Sequence, residues 1–462
     1  MKAFSLQATM LFLFIGIAAA SLTSAEPPVR KTQPSSEGIF NVGVASIDIT
    51  PKREVALAGF LSPKKTSTVD TPLFVKAMVI SAGNQKVAIV TLDTLKYPTH
   101  LALKARQYVE KITHIPAANV IICASHTHYG PLWRPMVTAA SVVHPEAARD
   151  YYSDGLVAVI GQAVAMAVGD AAPCTLGVAR GKVEGVNQNR RVLIDGDCWN
   201  RWLLDPSQRS KYPAAGPADP ELIVLAALDR NRRYKAIVYN FACHPVSTGR
   251  PVISADYPGH VQRCVEERLG YRVPTLFLLG PCGDVNARNS SHVIGRKIAD
   301  EILQRLDQLD RMTRPTLRVD CEEVQVPARE EPLEFNEEKI SRKWSRAVDI
   351  FRRSFEWMKQ RRKPTYKCVL TGVRIGDDFA LVTNPAELFC EIGMNIKGRS
   401  PFRITMVSTL TNGASGYVPT ADAFKIGGYE TWYGEHSFLS VGAGELIERQ
   451  SLEILKQLRK EQ

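Results

Sequence analysis

The chain has 462 residues, of which 45% are hydrophobic and 23% charged, so it is long enough to bury a sizeable core and is neither fibrous nor disordered. The formal charge of +11 favours an anionic membrane surface or an acidic substrate, or serves only to solvate the surface, and we expect no nucleic-acid partner. Nine cysteines without a Cys-x-x-Cys spacing do not indicate a disulfide framework, although one or two bridges stay open.

The first residues have the pattern of an export signal. Lys2 precedes an apolar run from Met10 to Ala20, and small residues up to Ala25 suit a cleavage site. We therefore predict a signal peptide at residues 1–25 and a Pro/Ser-rich linker at 26–38. No later apolar stretch approaches the length of a membrane span. The mature protein is expected to be soluble and exported, in the periplasm or secreted.

Strand and helix patterns alternate along the remaining chain. Strand patterns at 74–81 and 87–92 flank Gly83-Asn84, which predicts a hairpin. The other predictions are strands at 40–49, 120–124, 222–228, 235–241, 275–279, 368–375, 379–383 and 403–410, and helices at 101–112, 147–168, 258–269, from about 387, and 445–458. This order predicts an α/β fold in which mixed β-sheets are layered with helices.

Polar, turn-forming loops follow several of the predicted strands. His126 and His128 come after the strand at 120–124, His244 follows 235–241, and Asp284 to Asn286 follow 275–279. Side chains two apart on extended backbone point the same way, so His126 and His128 could approach one ion together. Active sites of α/β folds collect at strand ends, and His244 would be a third ligand for a metal site there.

A basic amphipathic segment extends from Lys339 to Lys367, with its strongest helical pattern at 339–363. Apolar residues recur every three or four positions, from Ile340 to Met358, between many lysines and arginines. We predict one helix whose apolar stripe packs on the domain. Its basic face either meets water or makes peripheral contact with an anionic membrane surface.

Taken together, the motifs of the chain resemble those of the neutral/alkaline (non-lysosomal) ceramidase family, over most of the mature sequence. The similar stretches are Val42 to Pro51, Ser125-His-Thr-His-Tyr-Gly-Pro131 (family S-H-T-H-S-G-P), Asn187-Gln-Asn189-Arg190 (N-I-N-R), Asn240-Phe-Ala-Cys-His244-Pro (N-W-F-A-V-H-P), Ile253-Ser-Ala-Asp256 (I-S-S-D-N) and Gly283-Asp284-Val285 (G-D-V-S-P-N). The resemblance implies one catalytic domain at 39–462, without the immunoglobulin-like domain that follows it in long members of the family.

The resemblance also implies a zinc site. Carried over residue by residue, Zn²⁺ would be bound by His126, His244, Glu387 and Tyr417. Two imidazoles and a carboxylate suit zinc, whereas a tyrosine ligand is less usual and spacing alone would not have selected Tyr417. Without the resemblance, Glu387 would be only a carboxylate at a helix N-terminus.

The resemblance also suggests roles for further residues in the reaction. His128 would move a proton between the attacking water and the leaving amine, and Arg190 would hold the developing oxyanion. Asp93 or Asp256 would orient a histidine. Where the family has a serine in G-D-V-S-P-N, this chain has Asn286, which cannot act as a hydroxyl nucleophile but can donate a hydrogen bond to a carbonyl oxygen.

The sequence thus favours an exported zinc-dependent amidohydrolase that cleaves a ceramide-like N-acyl bond with zinc-activated water. One alternative keeps the zinc but changes the substrate to another lipid or cell-envelope amide or ester. The other is a non-catalytic lipid-binding relative. The partner is in each case a lipid-like small molecule, and the sequence does not fix the oligomeric state.

Overall fold

Within residues 38–133, 136–138, 141–142, 144–147, 155–331 and 333–460, which the computed structural model describes, the largest element is a nine-stranded mixed sheet. The described strands are β1 Ile39–Asp48, β2 Val55–Ala56, β3 Lys65–Thr66, β4 Phe74–Ala82, β5 Gln85–Leu92, β6 Val120–Ala124, β7 Ala172–Lys182, β8 Asn187–Asn189, β9 Arg191–Ile194, β10 Asp197–Asn200, β11 Glu221–Leu228, β12 Tyr234–Phe241, β13 Thr275–Leu279, β14 Val285–Ala287, β15 Asp310–Arg311, β16 Leu317–Pro327, β17 Thr365–Ile375, β18 Phe379–Thr383, β19 Glu387–Leu388, β20 Ile404–Ser408 and β21 Tyr417–Val418. The described α-helices are α1 Thr99–Thr113, α2 Gly155–Gly169, α3 Tyr257–Leu269, α4 Ser291–Leu306, α5 Glu337–Trp344, α6 Val348–Gln360, α7 Cys390–Arg399, α8 Ala421–Ile426 and α9 Ala443–Lys460.

The large sheet has the strand order β13-β12-β11-β7-β1-β4-β5-β6, and β15 pairs with β7. The outermost pairs, β12 with β13 and β5 with β6, are parallel, and the other pairs are antiparallel. The predicted hairpin is confirmed, since β4 and β5 pair from Val75↔Leu92 to Ala82↔Gln85 around the turn at Gly83 and Asn84.

Both faces of the central strands are buried, which is why these strands are apolar almost throughout. On β4, Val75, Ala77 and Val79 pack in the core beneath α1 and α2, whereas Met78 and Ile80 belong to the core that the large sheet shares with α3 and α4.

A four-stranded sheet, β16-β17-β18-β20, contributes one face to this shared core. Val373 and Met406 lie on that face. Leu370 and Val407 lie on the other, where Ile454 and Leu455 of α9 cover them. Sheets packed between helices confirm the predicted α/β fold class.

Two of the element predictions are wrong. No helix begins at Glu387, because residues 387–388 form β19 and α7 starts only at Cys390. The basic segment is also not one continuous helix, because a 3-10 turn at Ser345–Ala347 separates α5 from α6. Its apolar stripe is nevertheless buried as predicted, with Ile340 and Phe351 in one small core.

The predicted signal peptide at 1–25 lies outside the described residues, as does the predicted linker except for Gly38. The part of the predicted helix at 148–154 is also outside them, and α2 is described from Gly155 onward. Residues 37–462 form one compact unit. None of the helices described combines the length and the apolar character that a membrane span requires.

Candidate active site

One cavity of about 410 Å³ collects the seven residues that the sequence analysis selected. They come from positions far apart in the chain: His126, His128, Arg190, His244, Asn286, Glu387 and Tyr417. Five of them are buried, and Asn286 and His128 are partly exposed.

His126 is held by the end of β5. Its backbone N–H donates to Thr94 O at 3.0 Å, and Nδ1 lies 2.7 Å from Leu95 O. A carbonyl oxygen can only accept, so Nδ1 carries the hydrogen and Nε2 presents a lone pair to the cavity. The residue has φ of 65°, a left-handed conformation that is uncommon outside glycine and typical of functional sites. The extended backbone assumed from the sequence is therefore wrong at this position.

His128 lies against the loop at Gly59. Its Nδ1 is 2.8 Å from Gly59 O, and its backbone N–H donates to Pro245 O at 3.1 Å. A Cβ at position 59 would lie 2.2 Å from the His128 ring, so only glycine leaves space for the imidazole. Burial, followed by the neighbouring His126 and His244, holds the pKa of His128 well below its usual value.

His244 is fixed by the loop that follows β13. Its Nδ1 lies 2.7 Å from Cys282 O and 3.1 Å from Val285 O, so this ring also presents Nε2 to the cavity. Burial and the charge of Arg190 lower the pKa of His244 to about 4, which keeps the imidazole neutral at ordinary pH.

Glu387 and Tyr417 arrive on a small parallel ladder. They are direct register partners in the pairing of β19 with β21. Gly283 packs on this ladder, because a Cβ there would lie 2.4 Å from Glu387 O. The backbone N–H of Tyr417 donates to His436 O at 2.7 Å.

The contacts around Glu387 fit a bound cation. Glu387 Oε2 lies 3.4 Å from His126 Nε2 and 3.6 Å from His244 Nε2. In the tautomers that the backbone carbonyls impose, both Nε2 atoms are acceptors, and the oxygen of the ionised Glu387 carboxylate is an acceptor as well. Within the described residues, neither His126 Nε2 nor Glu387 Oε2 makes a hydrogen bond. Buried lone pairs that face one another are costly unless a metal ion or proton lies between them.

A contact from Arg190 competes with metal binding at His244. Arg190 Nη1 lies 3.2 Å from His244 Nε2, where it can donate to the lone pair that a metal would need. The same Nη1 is 3.2 Å from Asn286 Oδ1, so the guanidinium has a second acceptor if His244 binds an ion.

His128 differs from the other two histidines in its surroundings. The three rings offer donor atoms within 4.8 Å of one another, so His128 could complete a three-histidine metal site. However, the contacts that Glu387 Oε2 makes at 3.4 and 3.6 Å are with His126 and His244. His128 Nε2 is buried and makes no hydrogen bond to the described residues, which suits a group that exchanges a proton with a substrate.

Arg190 is anchored by a residue that the sequence analysis did not select. Arg190 Nε donates to Glu430 Oε1 at 2.7 Å, and Asn200 Nδ2 donates to the same oxygen at 2.8 Å. Arg191 Nε lies 3.3 Å from the other carboxylate oxygen of Glu430, which is fully buried. Arg190 Nη2 is buried and makes no hydrogen bond to the described residues, so it can donate to a ligand atom, although the Tyr417 side chain also interacts with this guanidinium.

Asn286 faces Arg190 across the cavity. It forms an isolated parallel bridge with His244, and β14 pairs with β8 next to Arg190. The 3.2 Å contact from Arg190 Nη1 assigns Oδ1 to the arginine side. The amide group Nδ2 is then the donor that can reach a substrate oxygen.

The expectation that Asp93 or Asp256 orients a histidine is wrong, because backbone carbonyls occupy each Nδ1. Asp256 instead caps α3 at Tyr257 N and accepts bonds from Ser247 and Thr248. Asp93 accepts from Phe74 N at 2.9 Å.

Asp284 joins two parts of the site. It accepts from Asn189 Nδ2 at 2.6 Å and from Cys390 N at 2.8 Å, and its carbonyl accepts from Arg190 N at 2.8 Å. Burial raises the pKa of Asp284 to about 6.

An aromatic and charged rim was also missed by the sequence analysis. Arg190 lies over the rings of Trp202 and Tyr429, at 5.0 and 5.8 Å from their centroids. The remaining cavity residues are Ala58, Gly59, Phe60, Leu61, Leu95, Lys96, Thr138, Val246, Trp344, Glu435 and His436. They carry no local motif, and only the tertiary fold brings them to the cavity.

A second group of potential ligands, Asp70, His260 and His292, is explained by an ion-pair network. Arg263 Nη2 lies 2.9 Å from His260 Nδ1, and because arginine only donates, His260 must carry its hydrogen on Nε2. That nitrogen lies 3.3 Å from Oδ2 of Asp70, and Oδ1 of the same carboxylate pairs with Arg250. The ring therefore offers this group no free lone pair for a metal.

A comparison with protein families matches residues 40–275 to the model described as neutral/alkaline non-lysosomal ceramidase, N-terminal. The match covers just over half of the chain and includes His126, His128, Arg190 and His244. Glu387 and Tyr417 lie beyond it.

Two solved structures have a similar fold. A ceramidase complexed with C2 matches with a TM-score of 0.71 and 16% identity, over 92% of this chain and 76% of that chain. A neutral ceramidase from Pseudomonas aeruginosa matches with a TM-score of 0.69 and 16% identity, over 91% of this chain and 74% of that chain. At this identity the likeness establishes the fold alone.

Proposed function

Because the chain belongs to the neutral/alkaline non-lysosomal ceramidase family, we propose that it is a zinc-dependent amidohydrolase that cleaves the N-acyl bond of a ceramide-like lipid. Membership of this family implies an amide hydrolase of the ceramide-cleaving type. The zinc proposal rests on three acceptor atoms that face one another with no donor hydrogen between them: His126 Nε2, His244 Nε2 and Glu387 Oε2. Their residues line one cavity together with Arg190.

The proposed ligands are His126, His244, Glu387 and Tyr417. The donor set of two imidazoles and two oxygens suits zinc, and bound zinc lowers the pKa of water to about 7 and polarises a carbonyl. The backbone carbonyls at Leu95 O and Cys282 O hold the two imidazoles in the ligating tautomer.

The other cavity residues transfer the proton and bind the carbonyl oxygen. His128, held by Gly59 O through Nδ1, uses Nε2 to take a proton from the attacking water and to return it to the leaving amine. Arg190 Nη2 and the Nδ2 group of Asn286 donate to the oxygen of the scissile carbonyl as negative charge develops there. Glu430 holds the guanidinium in place.

Asn286 also favours direct attack by water over a mechanism with an acyl-enzyme intermediate. Its amide cannot form an acyl-enzyme, so water attacks the carbonyl directly in a single displacement. The kinetics should therefore show no burst of released amine before the steady state.

We further propose that the chain is exported by residues 1–25 and acts at or near a lipid surface. Exposed arginines in this segment, including Arg346 of the 3-10 turn and Arg353 of α6, support peripheral contact with an anionic membrane. Trp344 of α5 lines the cavity, so this helix lies beside the candidate active site.

Metal analysis and turnover on the purified mature chain test the proposal together. We expect about one zinc per chain, hydrolysis of N-acyl sphingosine, and loss of hydrolysis with a chelator that returns when zinc is added. His126→Ala and His244→Ala should lose both metal and activity. Wild-type hydrolysis of ceramide without bound metal would refute the zinc assignment.

A second candidate function keeps the zinc but changes the substrate. It is favoured by Asn286 at the family serine position and by the charged pair Lys96 and Glu435 within the cavity. Fatty-acyl amino acids and simple esters should be assayed beside ceramide, and activity confined to them would select this candidate. Zinc and vesicle binding without turnover on any acyl substrate would instead select a non-catalytic lipid-binding protein.

A further inference from the structure

An ion pair between Lys96 and Glu435 lies in the wall of the cavity, and the proposed proton transfer and oxyanion binding make no use of it. Lys96 Nζ is 3.5 Å from Glu435 Oε2, and the two residues are 339 positions apart in the chain. The side chains are only 14% and 6% exposed. Solvent and salt screen such a pair much less than a surface pair, so removal of either partner leaves a poorly solvated charge. The two chain segments that carry these residues are therefore coupled.

Lys96 directly follows two residues whose carbonyl groups hold His126. Thr94 O accepts from His126 N at 3.0 Å, and Leu95 O lies 2.7 Å from His126 Nδ1. The second contact imposes the tautomer in which Nε2 can bind a metal ion. A shift of the backbone at Lys96 would therefore reach this imidazole through a single peptide unit.

Glu435 directly precedes the residue that holds Tyr417. The carbonyl of His436 accepts from Tyr417 N at 2.7 Å. The two segments approach so closely that a Cβ at position 416 would lie 2.5 Å from His436 O, and Gly416 permits this approach. The backbone N–H of Glu435 donates to Oγ of the fully buried Ser354 at 3.0 Å. Glu435 is thus anchored on α6 and lies one peptide unit from a proposed zinc ligand's only backbone support of this kind.

We propose that Lys96 and Glu435 are positioning residues, whose ion pair holds in place the two backbone segments that orient His126 and Tyr417. This inference rests on the proposed function, because those two residues are proposed ligands of zinc. Loss of a contact that orients a metal ligand lowers metal affinity or activity by about 10- to 100-fold. We therefore expect the ion pair to affect zinc affinity and kcat more than KM.

The main test neutralises each partner with little change in side-chain size. Lys96→Met and Glu435→Gln should each lower zinc affinity about tenfold, measured by competition with a chromophoric chelator. The double variant Lys96→Glu with Glu435→Lys restores opposite charges in reversed order and should recover most of the affinity. Lys456→Met is the matched control, because it breaks a 2.7 Å ion pair with Glu453 on the exposed side of α9, and it should leave zinc affinity unchanged.

Steady-state kinetics separate this role from direct recognition of the substrate. In the two single variants kcat should fall while KM changes little, because the ligands are displaced and the substrate contacts remain. A rise in KM with wild-type zinc affinity would overturn the proposal, since the pair would then bind the substrate itself. Lower stability in urea with wild-type zinc affinity would also overturn it, because the pair would then serve the fold alone.

Hydrogen exchange in the metal-free protein gives a readout that requires neither zinc nor turnover. The amide of Tyr417 donates to His436 O, so it should exchange slowly in the wild type and about tenfold faster in Lys96→Met and Glu435→Gln. If the wild type binds no zinc but exchange responds in this way, the proposed function fails and the pair still positions Tyr417. If exchange at Tyr417 is equal in the wild type and both variants, the positioning role fails whatever the metal content.

Discussion

Glu387 and Tyr417 are direct partners in a two-residue parallel ladder, so both side chains leave adjoining backbone at one point of the cavity. This pairing sets the spacing of the two backbone positions that carry the oxygen ligands proposed for zinc. The ring of Tyr417 packs on Tyr429 at 5.5 Å and under Arg190 at 5.1 Å, and the residue lines the cavity.

Tyr417→Phe removes only the hydroxyl from this pair. We expect zinc affinity to fall about tenfold or more, because a ligand is lost while the ring contacts remain. Competition with a chromophoric chelator measures the affinity. Thermal unfolding of the metal-free protein should be unchanged by the substitution. Tyr108→Phe, at an exposed tyrosine on α1, serves as the matched control. Unaltered zinc affinity in Tyr417→Phe would remove this residue from the ligand set.

Alanine at His126 and at His128 should have different effects. His126→Ala is expected to lose both zinc and activity, since its Nε2 faces Glu387 Oε2 at 3.4 Å. His128→Ala is expected to retain zinc while kcat falls about 10²- to 10⁴-fold, as for loss of a general acid–base group. Metal analysis with steady-state kinetics distinguishes the two.

The control for this pair is His114→Asn, at an exposed histidine whose φ of 59° asparagine tolerates. If His128→Ala loses its metal as fully as His126→Ala does, the site is a three-histidine site. The proton would then have to be moved by another group.

Glu430→Gln should destabilise the fold and weaken catalysis together. Burial raises the pKa of Glu430, but Arg190 and Arg191 more than offset this, so its pKa lies below the ordinary value and the carboxylate is charged. Removing the charge leaves two buried guanidinium groups without their partner, at a cost of about 3 kcal/mol. Urea unfolding measures the loss, and kcat should fall more than KM rises because Arg190 acts on the transition state.

Glu184→Gln, at an exposed glutamate, is the control for the same change of charge. Full stability in Glu430→Gln would mean that the network around Arg190 does not depend on this carboxylate.

Asp284 should give the protein a distinctive dependence of stability on pH. Its pKa is about 6 in the folded state, above the ordinary value of 3.8 for aspartate, so the folded protein binds the proton more tightly than the unfolded chain. The stabilisation is complete below about pH 4 and is lost as pH rises to about 6, by about 3 kcal/mol in total. Asp284→Asn should lack this decline, whereas Asp300→Asn on α4 should keep it.

Urea unfolding at a series of pH values, with the variants compared under the same metal loading, isolates the contribution of this one carboxyl. An identical pH slope for Asp284→Asn and the wild type would show that the group does not titrate in this window.

The main strands and the cavity residues that sit in motifs could be predicted from the sequence. Strands such as β12 and β13 are buried on both faces and therefore read as apolar runs, and His126 and His244 follow such runs directly. Glu387 was misplaced on a helix because its strand has only two residues, too few for any periodicity. The break between α5 and α6 was missed because the apolar spacing continues through the 3-10 turn at Ser345–Ala347.

Other parts of the site leave no local trace in the sequence. Glu430 lies 240 positions from its partner Arg190, in a three-residue 3-10 turn without a distinctive sequence pattern. The orientation of all three histidines depends on backbone carbonyls, and every residue type provides one. Such contacts become visible only when the chain is folded.

The four proposed zinc ligands come from both sheets of the protein. His126 and His244 follow strands of the large sheet, whereas Glu387 and Tyr417 follow β18 and β20 of the smaller one. An ion held by all four would cross-link chain segments that are also joined by apolar packing, hydrogen bonds and ion pairs such as Arg403 with Asp310. Metal loss would then weaken the packing of one sheet on the other as well as stop the reaction. A fragment ending at residue 275 would contain only two of the four proposed ligands, His126 and His244.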